Sequence, residues 1–212
     1  MAKGRGMMTR RIALLLMLLV LASAVGFLYY LSGQDPESSS SGLSLLGGEE
    51  HTYDERKSLP MEGVVSLDVS AISARIKITY EEVPQIEAHF YGTASIMRGS
   101  PAPELTAAAE GSVASVHAEP KGGSSYRTLR SDLVLEIKVP AGFDGNLTVK
   151  GVSGGIDVGD FRARSFSADD VSGAITVGNA VVEGAFRANT VSGRIEAESI
   201  EAEKIDLGSV SG

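Results

Sequence analysis

The chain has 212 residues, 19 of them basic and 27 acidic, for a net charge of −8. That acidic balance excludes a nucleic-acid surface, which needs cations set against phosphate. The absence of cysteine excludes disulfides and a lipid-modified cysteine.

Lys3, Arg5, Arg10 and Arg11 precede an uncharged apolar run over residues 12–31. A run of that length crosses a bilayer as a helix. The positive flank puts residues 1–11 in the cytoplasm and everything beyond the span outside it. Tyr29 and Tyr30 fall where an outer aromatic belt belongs. The competing reading is a secretory signal peptide cut near Ala24, at Ala22-Ser23-Ala24. The apolar run continues for seven residues past that point, which favours an uncleaved signal-anchor. Both readings export the rest of the chain. The four cations before the span leave 15 basic against 27 acidic residues after it, or −12, a surface that repels nucleic acid and anionic lipid.

Residues 32–58 read as a flexible tether. Residues 34–42 (QDPESSSSG) are polar, of low complexity and carry a helix-breaking proline. Leu43, Leu45 and Leu46 form a small apolar cluster suited to capping a first coil.

Residues 59–212 read as one all-β domain. Val152-Ser153-Gly154, Val171-Ser172-Gly173, Val191-Ser192-Gly193 and Val210-Ser211-Gly212 recur at steps of 19, 20 and 19 residues. A fixed period near 20 with alternating apolar residues predicts a parallel β-solenoid, one repeat per coil. After each glycine come the inward pairs Ile156/Val158, Ile175/Val177 and Ile195/Ala197, then Phe166/Ala168, Phe186/Ala188 and Ile205/Leu207. This predicts two short strands per coil. The same spacing extends back to Ile137/Val139 and Leu147/Val149, and further to Leu67/Val69, Ile76/Ile78 and Ile86/Ala88. Residues 133–212 are the regular coils. Residues 99–132 break the grid with Pro101, Pro103, Ala107 to Ala109 and Lys121-Gly122-Gly123-Ser124-Ser125, and read as an insertion with one strand of its own over 112–119. The phrase at 210–212 stands where a further coil begins, which suits either an open end that seeks a partner or a longer chain.

The repeated glycine is expected to supply positive φ at a sharp turn, and the serine beside it to bond its own backbone. The serine has no base to make it a nucleophile, because His51, His89 and His117 lie outside the phrase-bearing coils. Asp157, Asp160, Asp169 and Asp170 read as a solvated outer face, since the calcium-binding nonapeptide G-G-x-G-x-D is met only in part by residues 154–157. Asn146-Leu147-Thr148 matches a glycosylation sequon, but Leu147 is an inward residue of the grid. No catalytic, cofactor-binding or metal-binding residue is assigned.

The segments 133–142 (LVLEIKVPAG) and 147–158 (LTVKGVSGGIDV) carry a strand ending in V-P-x-G followed by V-S-G-x-I-x-V coils. In this the chain resembles the bacterial putative-adhesin β-strand-repeat family, a domain of unknown function related to auto-transporter-adhesin-like head domains, over residues 60–212. The resemblance implies a right-handed β-helix in an envelope or membrane-tethered protein, with no catalytic residues and no cofactor.

The expected function is a non-enzymatic, membrane-anchored envelope or cell-surface scaffold that binds an envelope protein or a cell-wall component, with end-to-end self-association through open solenoid ends. The alternative is an extracytoplasmic envelope-stress or regulatory module acting through a membrane partner, since residues 1–11 are too few to signal alone. A glycan-cleaving enzyme ranks last. Its only support is an outward column of Asp157, Thr176 and Glu196, and the chain has six Phe, six Tyr and no Trp to build a sugar platform.

Overall fold

A computed structural model describes residues 48–121 and 127–212. The expected cytoplasmic segment, the span over 12–31 and the first part of the tether lie outside the described residues. Among the described residues no helix is long and apolar enough to cross a membrane.

The described residues form thirteen strands: β1 Gly48–Leu59, β2 Ser66–Ala71, β3 Ala74–Glu81, β4 Ile86–Met97, β5 Pro103–Glu110, β6 Val113–Pro120, β7 Thr128–Pro140, β8 Asn146–Gly151, β9 Ile156–Val158, β10 Phe161–Ala163, β11 Ser165–Asp170, β12 Ile175–Thr190 and β13 Ile195–Ser209. Apolar residues at alternate positions put every second side chain inside, as Leu67, Val69 and Ala71 of β2 and Leu133, Leu135, Ile137 and Val139 of β7 show.

The repeat region is a parallel β-solenoid. Ile156, Ile175 and Ile195 stand opposite one another across β9, β12 and β13, as do Val158, Val177 and Ala197. Leu147, Phe166, Phe186 and Ile205 form a second column. The sequence grid had these registers right. It had too few strands per coil, however. Phe161 and Ala163 of β10 pair in parallel with Ala180 and Val182 of β12, which face Ile200 and Ala202 of β13. Each coil therefore has three short strands and three inward pairs. The third pair leaves little trace in the sequence because Ala180 and Ala202 give little hydropathic contrast.

The first coil lies inside the stack. β2 pairs in parallel with β8 on one side and β6 on the other, and β3 lies between β9 and β7. Leu67/Val69 and Ile76/Ile78 meet Leu147/Val149 and Ile156/Val158 as the spacing predicts. Ile137/Val139 do not. β3 separates them from β9, and the pair in the Ile76/Ile78 columns is Leu135/Ile137, two residues earlier. Ile86/Ala88 leave the grid altogether, because β4 runs antiparallel between β1 and β7.

Two further expectations are corrected. Residues 48–58 of the supposed tether form β1, whose Tyr53 and Leu59 are buried. The supposed insertion holds two strands, not one: β5 and β6 make an antiparallel hairpin turning at Gly111, where φ is +60°. β6 then stacks as a coil face, with Ala114 and Val116 in the Leu67/Val69 columns. The Leu105 N–H donates to Glu55 Oε2 at 3.1 Å, so β5 and β1 meet over this end of the core.

The glycine and serine of the repeated phrase work differently from the expectation. Gly154, Gly173, Gly193 and Gly212 do not have positive φ; Gly155 does, at +80°. The phrase glycines are required by close approach, since a Cβ on Gly154 would overlap the Ala74 carbonyl, and one on Gly193 the Gly173 carbonyl. The serine hydroxyls bond the neighbouring coil rather than their own. Ser172 donates both its N–H and its Oγ to the Val152 carbonyl at 3.0 Å, and Ser153 does the same to the Ile72 carbonyl at 3.1 Å. The phrase is thus a coil-to-coil clamp. It turns its valines outward, with Val152, Val171 and Val191 each more than 40% exposed.

A candidate interaction surface

Because strands lie about 4.8 Å apart, one outward position on each becomes a row of side chains across the sheet. One such row, seven strands long, runs Arg56, His89, Glu136, Lys77, Asp157, Thr176 and Glu196, through β1, β4, β7, β3, β9, β12 and β13. Its signs alternate over Glu136, Lys77 and Asp157. Lys77 Nζ donates to Glu136 Oε1 at 3.0 Å, and this bond, followed by the charge of Glu136, raises the lysine's pKa. His89 Nε2 lies 2.7 Å from Asp54 Oδ1, and its ring packs at a tilt against that of Tyr91 with centroids 4.4 Å apart.

Two residues along, Lys138 Nζ donates to Glu81 Oε2 at 2.8 Å, and Thr79 Oγ1 donates to Glu81 Oε1 at 2.9 Å. The Lys138 bond, then the Thr79 bond, hold the Glu81 carboxyl below its ordinary value, while Lys138 is held above its own. Such exposed pairs fix side-chain positions more than they stabilise the fold. Beside them lies an open groove of about 260 Å³ whose lining includes Arg56, Gln85, Glu87, His89 and Lys138.

The sequence-derived column of Asp157, Thr176 and Glu196 is present, each residue directly opposite the next. Glu196 is engaged by Arg194 at 3.2 Å. Asp157 and Thr176 border a shallow hollow of about 170 Å³ with Arg75, Gly154 and Gly155. The three lie along a flat row rather than around a cleft.

Other acidic positions have structural duties. Asp160 Oδ1 accepts the Asn179 N–H at 2.7 Å and the Asn179 side-chain amide at 3.0 Å, and the backbone bond chiefly lowers its pKa. Asp169 Oδ1 accepts the Asn189 side-chain amide at 3.0 Å. Asp170 overturns the outer-face reading, for it is 4% exposed and points inward. Its Oδ1 accepts the N–H groups of Ser172, at 2.9 Å, and of Gly173. Asn146 is tied on both sides, accepting from Ser165 at 2.8 Å and donating to Ser66 at 3.2 Å. Among the described residues no group of three or more His, Asp or Glu side chains is placed to hold a metal ion.

Sequence reasoning missed the end of the row on β1 and β4. Residues 48–58 are mostly charged and in sequence resemble a tether. The available signal was Tyr53 and Leu59, six apart and so on one face of a strand.

The fold and surface together define a β-solenoid with an antiparallel cap at one end and charged ladders on its outer faces. Residues 115–212 match the family described as Toastrack DUF4097. The resemblance carried by residues 133–142 and 147–158 falls inside that stretch. No curated protein matches the chain. Among solved structures, one titled a putative cell adhesion protein from Clostridium sporogenes is similar at 11% identity and a TM-score of 0.38, covering 75% of this chain and 100% of its own. A putative adhesin from Bacteroides fragilis is similar at 9% identity and a TM-score of 0.33, covering 74% of this chain and 93% of its own. A putative lipid binding protein from Parabacteroides distasonis is similar at 15% identity and a TM-score of 0.25, covering 75% of this chain and 95% of its own.

Proposed function

We propose that the chain is a non-enzymatic interaction scaffold of the bacterial envelope, held to the membrane by residues 12–31 and displaying a right-handed solenoid on the extracytoplasmic side. The observation that carries this reading is the seven-strand row from Arg56 to Glu196. It is a regular array of fixed polar groups on a rigid sheet, suited to an extended partner. The handedness follows from the near-universal hand of parallel crossover connections. The basic residues before the apolar run support the orientation.

The experiment is co-sedimentation of the purified full chain with isolated wall and membrane fractions. Saturable retention by the wall, or by membranes carrying their proteins beyond what protein-free lipid retains through residues 12–31, supports the scaffold. Retention only by membranes of cells that hold one particular membrane protein supports the regulatory alternative. Retention by neither fraction overturns both.

A further inference from the structure

The open groove beside Lys138 runs between two rows of outward side chains on β1, β4 and β7. One wall is Arg56, His89 and Glu136. The other is Ser58, Glu87 and Lys138, displaced by two residues on each strand. Rows so displaced lie about 7 Å apart. The groove holds about 260 Å³, and Gln85 joins its lining.

Its charged groups divide into the spent and the free. Lys138 stands directly opposite Glu87, but Glu81 holds its Nζ at 2.8 Å. Glu136 stands directly opposite His89, but Lys77 holds its Oε1 at 3.0 Å. His89 Nε2 is taken by Asp54 at 2.7 Å. Among the described residues the Glu87 carboxylate and the Gln85 amide make no hydrogen bond or ion pair, although both side chains are half-buried. Arg56 reaches Asp54 only at 3.7 Å, with the two side chains 69% and 72% exposed. That is too long for a hydrogen bond, so the guanidinium fork is open. Arg56 and Glu87 do not pair with each other. They occupy diagonal positions on neighbouring strands, a separation of about 7–8 Å. A purely anionic ligand would meet Glu87 and Glu136 here, and a purely cationic one Arg56 and Lys138. The complement is a ligand with both charges. Two residues of extended peptide reach about 7 Å, which matches the diagonal.

We infer that this groove binds a short peptide whose free ammonium and free carboxylate lie two residues apart. The ammonium sits on Glu87, the carboxylate on the Arg56 fork, which suits a two-bonded grip, and the peptide bond between them beside the Gln85 amide. The inference rests on reading this face as the scaffold's binding surface, and it names the chemistry of the ligand.

The probes are dialanine, N-acetyl-dialanine and dialanine amide, titrated into the isotope-labelled full chain in detergent and followed by amide NMR shifts. Dialanine is expected to bind with a Kd on the order of 1 mM, to shift amides of β1 and β4, and to weaken as salt rises. Each blocked peptide is expected to bind at least ~10-fold more weakly. Two variants outside the core assign the charges. Glu87→Gln is expected to bind dialanine and N-acetyl-dialanine alike, because it cannot read the ammonium. Arg56→Gln is expected to bind dialanine and dialanine amide alike, because it cannot read the carboxylate. No saturable shift with dialanine, equal affinity for the three peptides, shifts away from β1 and β4, or indifference to both variants overturns the inference. Retention by wall and membrane fractions is read separately. Retention without dialanine binding leaves the scaffold and overturns this site, whereas dialanine binding without retention leaves this site and overturns the scaffold.

Discussion

The carboxylate of Asp170 occupies the space that a side chain on Gly151 would fill. The two residues face each other across neighbouring coils, one after Lys150 and one after Asp169, which are themselves opposite. An ideal Cβ on Gly151 would overlap Asp170 Oδ2. Among the described residues that oxygen has no hydrogen-bond partner, and it is buried. Its neighbour Oδ1 holds the turn of the next phrase through Ser172 and Gly173. Gly151→Ala is therefore expected to destabilise the chain by about 1–3 kcal/mol. Asp170→Ala alone loses two charge-assisted bonds, about 1.5–3 kcal/mol each. Combined, the two cost less than their sum, with a coupling of about 0.5–3 kcal/mol. Denaturant titration of the four proteins measures it, and strict additivity would refute the contact.

The phrase glycines separate two explanations that sequence alone cannot. If they served positive φ, alanine would strain the backbone whatever the space. They serve close approach instead, so the cost follows what the Cβ meets. Gly193→Ala is expected to cost about 1–3 kcal/mol or more, because Gly173 must move. Gly142→Ala, whose Cβ meets nothing within 4 Å, is expected to stay within about 0.5 kcal/mol of the parent. Thermal unfolding of the two variants gives the comparison, and equal shifts would restore the turn explanation.

What was legible in the sequence was whatever repeated with strong contrast. Ile156, Ile175 and Ile195, and Phe166 and Phe186, gave the columns and their register because each is large, apolar and followed by a polar residue. The third strand of each coil was hidden because its inward residues are mostly small. β1 was hidden because an edge strand with one wet face looks like a charged linker. The insertion of β3 between β7 and β9 could not be read at all. Equal spacing says that two segments share a column, not that they are neighbours in it, and two passes of the chain through one column leave the same periodicity. The interaction row has the same origin, since Arg56, His89, Glu136 and Lys77 meet only through non-local pairing.

Nearest-neighbour stacking makes depth in the solenoid decide the cost of losing a side chain. Phe186 is fully buried, its ring 4.8 Å from that of Phe166, which is in turn 5.0 Å from Phe161. Phe186→Ala is expected to cost about 3–5 kcal/mol. Ile205→Ala, in the same column one strand outward, is expected to cost roughly 1–2 kcal/mol, because half of that side chain is already in water. Chemical denaturation resolves a difference of this size. Equal costs would show that the outer face of β13 is covered in solution.

Asp160 predicts an acid-sensitive term. Hydrogen bonds from Asn179, the backbone one first, lower its pKa below the ordinary 3.8 in the folded state. A group with a depressed folded pKa contributes stability above its unfolded pKa and loses it as pH falls through the folded one. The window therefore opens near the ordinary carboxyl value and closes below it. Asp160→Asn keeps an acceptor for the Asn179 N–H but cannot ionise. The parent is expected to be the more stable above about pH 5, with the gap narrowing as pH falls below 3.8. Lys77 and Lys138, whose pKa values are raised, stay charged throughout this range and do not mask the effect. Denaturation midpoints of parent and variant across the acid range supply the test, and a gap that stays constant would place the ionised form of Asp160 outside the energetics of the fold.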